Sequence, residues 1–306
     1  MQNRGYKKVY TLKEAIAEYR QENACLLAGG TDIVVKAHER ERYADRTILD
    51  ISELRDCRQI TEGEASVEIG AAVTLTEVLK SELVAERIPL LGAAVGKLAN
   101  CQVRNRATLV GNLANGCPAA DAIPALMALG ATVHVVSEHG ERSLPLKELY
   151  HSTPACLRHR GMHVKTCYFA NPCEKKLTLT AGEIIASVTI PSQKEREKWQ
   201  FYKLTQNRSG ALAILNMAAR MRTEAGMITE FSLCVGGVFP RPDCLEQYSG
   251  EVIGQMPSEE LFEAYALLIQ KEVEKEENML ADYEYKHRVL PALIVDVCKN
   301  MMGENG

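Results

Sequence analysis

The chain has 306 residues, with 36 Lys or Arg against 40 Asp or Glu and a formal net charge of −4 at pH 7. Its composition, 46% hydrophobic and 25% charged, is that of an ordinary globular protein long enough for two domains, which excludes global disorder. The slightly acidic balance argues against a general nucleic-acid coat or a polybasic membrane binder, so nucleic acid is not an expected partner.

The first residues, MQNRGYKKVYTLKEA, hold no apolar signal core, and no run of about 18 apolar residues follows, which predicts a cytoplasmic chain without a membrane span. Thr11-x-x-Glu14 is a capping box, with Leu12, Ala15, Ile16 and Tyr19 on one helical face behind it. Ala24 to Ala28 is an apolar run of strand length that stops at Gly29-Gly30, and Thr47-Ile48-Leu49 is a second strand candidate. Val67 and Ile69 alternate with Ser66 and Glu68, as in a half-buried strand. A second capping box, Thr74-x-x-Glu77, precedes Val78 and Leu79; helices are expected over 89–98 and 122–129, and a strand over 131–136.

Periodicity weakens between 151 and 176, where His151, His159, His163, Cys156, Cys167 and Cys173 crowd together. Glu183 to Ile190 then reads as a strand stopped by Pro191, and Gln193 to Lys198 as a charged surface link. Strand-like runs follow at 200–205, 212–221 and 228–235, with helices at 258–276 and 285–300. Strands followed by helices predict an α+β unit with its helices on one face of a sheet. The ten cysteines include no Cys-x-x-Cys pair, and a chain of this length needs no disulfide framework, so reduced and mostly buried thiols are expected.

Two segments carry chemistry. In Leu27-Ala28-Gly29-Gly30-Thr31-Asp32-Ile33, paired glycines after a strand let backbone N–H groups approach an anion, and Thr31 adds a hydroxyl donor. The same residues also suit a tight strand-to-helix turn with Asp32 as its cap. The second segment, 104–121, is rich in Gly, Asn, Thr and Pro yet flanked by apolar helices. It reads as a long loop covered by a polar ligand, or as a structural loop with Asn112 and Asn115 in left-handed turns. Two such loops suggest a ligand with two phosphates. Gly92 to Leu98 fails the P-loop pattern, having three residues between its glycines and Leu98 after the lysine. The nicotinamide-type Gly-x-Gly-x-x-Gly after a strand, His-Glu-x-x-His and Gly-x-Ser-x-Gly are absent from the sequence.

Six segments together resemble the flavin subunit of molybdenum hydroxylases, the family that includes the FAD-binding chains of xanthine and carbon monoxide dehydrogenases. They are LLAGGTDI (26–33), IGAAVTLTEV (69–78), QVRNRATLVGNLANGCPAADAIPALMALGA (102–131), EIIASVTIP (183–191), YKLTQNRSGALAILNMAARM (202–221) and DYEYKHRVLPALIV (282–295). The resemblance spans nearly the whole chain. It implies an FAD-binding domain of two subdomains over 1–176, split near 58 and of the PCMH type, then a smaller α+β domain over 177–306 with helices on an antiparallel sheet. Both loops would hold the pyrophosphate of FAD. The implied cofactor-binding residues are Leu27, Ala28, Gly29, Gly30, Thr31, Asp32 and Ile33 in the first loop, and Ala107, Thr108, Gly111, Asn112, Ala114, Ala120 and Asp121 in the second. Ile185 and Lys203 would approach the flavin from the second part.

The implied function is electron transfer, with no acid–base catalyst in this chain and no metal ligands. A molybdopterin-containing large subunit and a two-iron two-sulfur small subunit would be its partners, and FAD would pass electrons from the clusters to NAD or another acceptor. Alternatives are a flavin-free scaffold subunit of such a complex and a stand-alone flavin oxidase. Departures from the family pattern stand at Val110 for a glycine, at Cys117 and Ala120 for serines, and at Ala211 for an aspartate. Val110 would restrict the backbone if its φ had to be positive, and Ala120 removes a hydroxyl contact. The segment 155–176 looks like an insertion; its Cys and His intervals match no standard metal spacing, which predicts a metal-free excursion near the domain boundary.

Overall fold

A computed structural model describes residues 5–19, 24–37, 46–150, 177–207, 212–239, 241–273 and 282–303. Short parallel strands come first. β1 (Tyr6–Lys8), α1 (Leu12–Tyr19), β2 (Ala24–Leu27), α2 (Ile33–Ala37) and β3 (Thr47–Asp50) build a three-stranded sheet in the order β1–β3–β2. The first capping box forms as expected. Thr11 Oγ1 accepts from Glu14 N at 3.2 Å, and Glu14 Oε2 accepts from Tyr10 N and Thr11 N.

Beyond a 3-10 turn at Arg55–Cys57, β4 (Ile60–Glu62) and β5 (Ser66–Gly70) open a second sheet. A helical layer follows: α3 (Leu75–Lys80), α4 (Glu82–Arg87), α5 (Pro89–Gly96), α6 (Cys101–Arg104), α7 (Leu109–Asn115) and α8 (Ala122–Ala128). Then β6 (Thr132–Ser137), β7 (Gly140–Pro145) and β8 (Ile184–Pro191) complete five antiparallel strands in the order β4–β5–β8–β6–β7. β8 thus lies at the centre of the sheet, hydrogen-bonded to β5 on one side and β6 on the other. A boundary at 176 would remove it and leave two open edges, so we place the boundary after Pro191, ahead of the next sheet. Tyr150 and Leu177 form an antiparallel bridge, and Thr178 N donates to Leu149 O at 2.8 Å. The Cys- and His-containing segment 155–176 lies outside the described residues, as does Ala211.

β9 (Glu197–Leu204), β10 (Leu215–Glu224) and β11 (Met227–Gly236) form an antiparallel sheet in the order β11–β10–β9, followed by α9 (Glu259–Glu272) and α10 (Tyr283–Met302). Leu215, Met217, Ala219 and Met221 of β10 face a core with Phe262, Tyr265 and Ile294 of the two helices. Ala218, with Phe201 and Cys234, faces the core of the first domain, where α8 packs on β10 and β11. Burial on both faces explains why β10 reads as a nearly continuous apolar run. α9 and α10 occupy one face, as expected; the other is taken by the first domain.

Pro291 lies inside α10 and cannot donate to the carbonyl of His287, four residues earlier. Gln270 Nε2 of α9 donates to that oxygen at 2.8 Å, so the gap in one helix becomes the tie to its neighbour. Glu197, expected in a surface link, opens β9 instead and is buried against Arg220, at 3.1 Å. Arg220 Nε also donates to Ala128 O at 2.6 Å, setting positive charge at the carbonyl end of α8. The expectation of reduced thiols is corrected at one pair: Cys234 and Cys244 form a disulfide beside the Val235–Asp243 bridge, which sets their backbones across from each other.

Glu183, at the head of β8, accepts from Arg142 Nε at 2.6 Å and Nη2 at 2.9 Å, and from Thr180 N at 2.7 Å. The guanidinium first, then the backbone N–H, lower its carboxyl from the ordinary 4.5 to about 2. A depressed carboxyl contributes stability above its unfolded value, lost as pH falls through its folded one. Glu183→Gln is expected to cost about 1 kcal/mol at neutral pH, since half-exposed Arg142 is screened by water. In thermal melts, the gap between variant and wild type should close as pH falls from 4.5 toward about 2.

Candidate functional site

The two glycine-bearing segments meet backbone to backbone. A Cβ on Gly29 would lie 2.0 Å from Arg106 O and 2.8 Å from Ala107 Cα, so only glycine allows the approach. Gly30 has φ +74°, in the left-handed region, and its carbonyl accepts from Val34 N in α2. A Cβ on Gly111 would lie 3.7 Å from Ala28 Cβ, and Asn115 Nδ2 donates to Asp32 Oδ1 at 3.2 Å.

The second segment is not one long loop. Residues 109–115 form α7, capped by Thr108, whose Oγ1 accepts from Gly111 N at 3.0 Å, and ended by Gly116 at φ +57°. Asn112 and Asn115 are helical; the left-handed position belongs to Gly116. Val110 sits in the first turn of α7 with no positive φ, so its side chain brings no backbone strain. The turn ahead of α7 is fixed from behind by α3. Leu75 N donates to Ala107 O at 2.8 Å, Thr74 bridges Thr108, and Thr74 and Glu77 form the second expected capping box.

Past α7 the chain turns inward. Asp121 is buried; Lys203 Nζ donates to its Oδ2 at 2.6 Å, and Asn216 Nδ2 to its Oδ1 at 2.8 Å. Lys203 Nζ also donates to Lys97 O at 2.9 Å, at a turn where Ala99 has φ +48° and Arg104 Nη1 holds the carbonyls of Leu98 and Ala99. Burial raises the Asp121 carboxyl above its ordinary value, opposed by Lys203, then Asn216, then Lys97.

The structure therefore lays Leu27 to Ile33 along α7, from Ala107 and Thr108 ahead of it, past Gly111 and Asn112, to Asn115 at its last residue, with Ala120, Asp121 and Lys203 beyond that end. Ile185 is buried in β8 opposite Val135, on the strand against which α7 packs. Sequence reasoning missed Asn216, whose signal was one amide inside the otherwise apolar run of β10.

The family described as the FAD binding domain in molybdopterin dehydrogenase matches residues 2–193. The chain belongs to this family. The CO dehydrogenase flavoprotein C-terminal domain matches residues 200–301. A "Xanthine dehydrogenase FAD-binding subunit" of Escherichia coli O157:H7 is 30% identical over 78% of this chain and 75% of its own. The "Nicotinate dehydrogenase FAD-subunit" of Eubacterium barkeri is 25% identical over 96% and 95%. In fold, a solved carbon monoxide dehydrogenase chain from Hydrogenophaga pseudoflava superposes with a TM-score of 0.86 at 23% identity, covering 97% of this chain and 96% of that one.

The protein is thus an FAD-binding oxidoreductase subunit of the molybdenum hydroxylase family, with an FAD-binding domain followed by an α+β flavoprotein domain. Its residues fit the cofactor on a separate observation. Asn112 Oδ1 is buried and has no hydrogen-bond partner among the described residues, on the helix that abuts Ala28. A buried amide oxygen left without a donor costs about 1–3 kcal/mol, which a hydroxyl of a bound ligand can recover.

Gly29→Ala must push the two segments apart, and is expected to cost about 1–3 kcal/mol and to weaken FAD binding. Gly92→Ala is the control: its added methyl meets nothing within 4 Å, and it should stabilise α5 by about 0.5–1 kcal/mol. Denaturant melts and FAD titrations of both variants check the pair; undiminished FAD affinity in Gly29→Ala would show that the contact does not shape the site.

Proposed function

We propose that this chain is the electron-transfer subunit of a molybdenum hydroxylase, standing between the iron–sulfur clusters of a small subunit and NAD or another acceptor, with a molybdopterin-containing large subunit as the third chain. The supporting observation is the joining of Gly29 to Ala107, which lines up two stretches of backbone, with a buried Asp121–Lys203 pair beyond α7. FAD, when bound, supplies a centre that takes up electrons singly or in pairs.

The first segment, Leu27 to Ile33, together with Ala107, Thr108, Gly111 and Asn112, would hold the pyrophosphate and the adjoining sugar hydroxyls. Backbone N–H groups and the Thr31 hydroxyl are donors suited to an anion, and Asn112 Oδ1 is an acceptor suited to a hydroxyl. Ala114, Ala120, Asp121, Ile185 and Lys203 would line the flavin end. Lys203, held by the Asp121 carboxylate and the Lys97 carbonyl, would present its ammonium as a fixed donor there. Ala120 offers no hydroxyl, so recognition at that point falls to backbone and to Asp121. No side chain is assigned a proton-transfer role, consistent with a site that passes electrons and leaves substrate chemistry to a partner.

The purified full chain should be yellow, release FAD in a 1:1 ratio on denaturation, and oxidise neither purines nor aldehydes by itself. Together with its two partner subunits it should be reduced by the substrate of the complex, and rapid mixing of the reduced chain with NAD should reoxidise it. A folded chain that takes up no FAD would refute the cofactor site; substrate turnover by the single chain would refute the electron-transfer role.

A further inference from the structure

Asn216 has no role in the reading above. It is fully buried in β10, where a primary amide costs free energy unless it is bonded. Its Nδ2 donates to Asp121 Oδ1 at 2.8 Å and reaches Ala119 O at 3.4 Å. Both are acceptors, so the amide can face them only with its nitrogen. Its Oδ1 points the other way, without a hydrogen-bond partner among the described residues, toward Gly236 of β11. A Cβ on Gly236 would stand 2.3 Å from that oxygen and 3.0 Å from Pro118 O. The next residue, Gly237, donates to Pro118 O at 2.8 Å and accepts from Lys286 Nζ of α10 at 2.6 Å.

The C-terminal domain thus grips the turn ahead of α8 at Pro118, Ala119 and Asp121. The two oxygens of the Asp121 carboxylate are divided between Lys203 and Asn216. The charged groups that act on this carboxylate are Lys203 from β9 and Lys97 from the turn after α5, while Lys286 from α10 ends on the Gly237 carbonyl.

We propose that Asn216 is a positioning residue of the cofactor site: it orients the Asp121 carboxylate, so that Lys203 stays fixed at the flavin. The consequence for FAD rests on the function proposed above; the effect on Asp121 does not. Without the amide, the buried carboxylate loses a donor and takes up a proton at higher pH.

Asn216→Leu keeps the branched outline, at a larger volume, and removes the donor. In the flavin-free full chain it should lower Tm more at pH 8 than at pH 5, because a buried acid with a raised pKa destabilises the fold as pH rises through that value. A drop that is the same at every pH from 4 to 8 would assign Asn216 to packing alone and overturn the proposal. With FAD, the variant should bind about tenfold more weakly than wild type at pH 6, the gap narrowing toward pH 8. FAD binding equal to wild type across that range would also overturn it. Gly236→Ala, which presses on Asn216 from the opposite side, should shift the acid limb of FAD binding in the same direction, and an unshifted limb counts against the proposal. If wild type binds no FAD, the cofactor reading fails while the melts still decide the place of Asn216.

Discussion

Two backbones in contact, with no side chain between them, set the small parallel sheet of the first domain against the rest of it. Gly29 abuts Arg106 and Ala107, and the same Ala107 accepts from Leu75 on its far side. The small parallel sheet is thereby joined through its glycine turn to the turn before α7, and through that turn to α3 and the five-stranded sheet. Each hydrogen bond along this path contributes only about 1 kcal/mol. The geometry is nonetheless fixed, because the approach leaves no space to slide. A site made by two subdomains needs such a seam, since a shift of a methyl's width would misplace every donor.

The second domain packs its apolar sheet face on α8 and adds polar ties at that helix's ends. Lys203, Asn216, Gly237 and Arg220 all reach from the three-stranded sheet, or the turn after it, to groups at the two ends of α8. Burying an ammonium and a carboxylate is costly, and a hydrophobic pair of the same volume often serves stability as well. Keeping the charges makes sense if they act on something other than the fold. At the opposite end of α8, Arg220 meets the Ala128 carbonyl and Glu197, an arrangement in which every charge has a nearby opposite.

Much of this was legible in the sequence. Thr11-x-x-Glu14 and Thr74-x-x-Glu77 announced helix starts because capping is a local signal, and β10 and β11 announced themselves by apolar runs. α7 was hidden because Gly111, Asn112 and Asn115 are weak helix formers, and packing against β8 and Ala28 outweighs their preference. The place of β8 in the sheet was hidden as well, since strand order is decided by pairing across the chain and not by any residue within the strand. Asn216 escaped notice because a single amide in an apolar run says nothing of its partner until Asp121 is set opposite.

β8 also bears on how the chain is made. It fills the middle of a sheet whose other strands end at Pro145, so during synthesis β5 and β6 emerge long before the strand that joins them. Until the ribosome has released Pro191, both keep unpaired edges, and α7 lacks the strand it packs on. Long-range pairing of this sort slows folding and exposes sticky surface while it waits. The α8 face that ends up under β10 and β11 stays open longer still. The nascent subunit is therefore most in need of protection between those two moments, and truncations that stop short of β8 should aggregate instead of yielding a smaller FAD-binding domain.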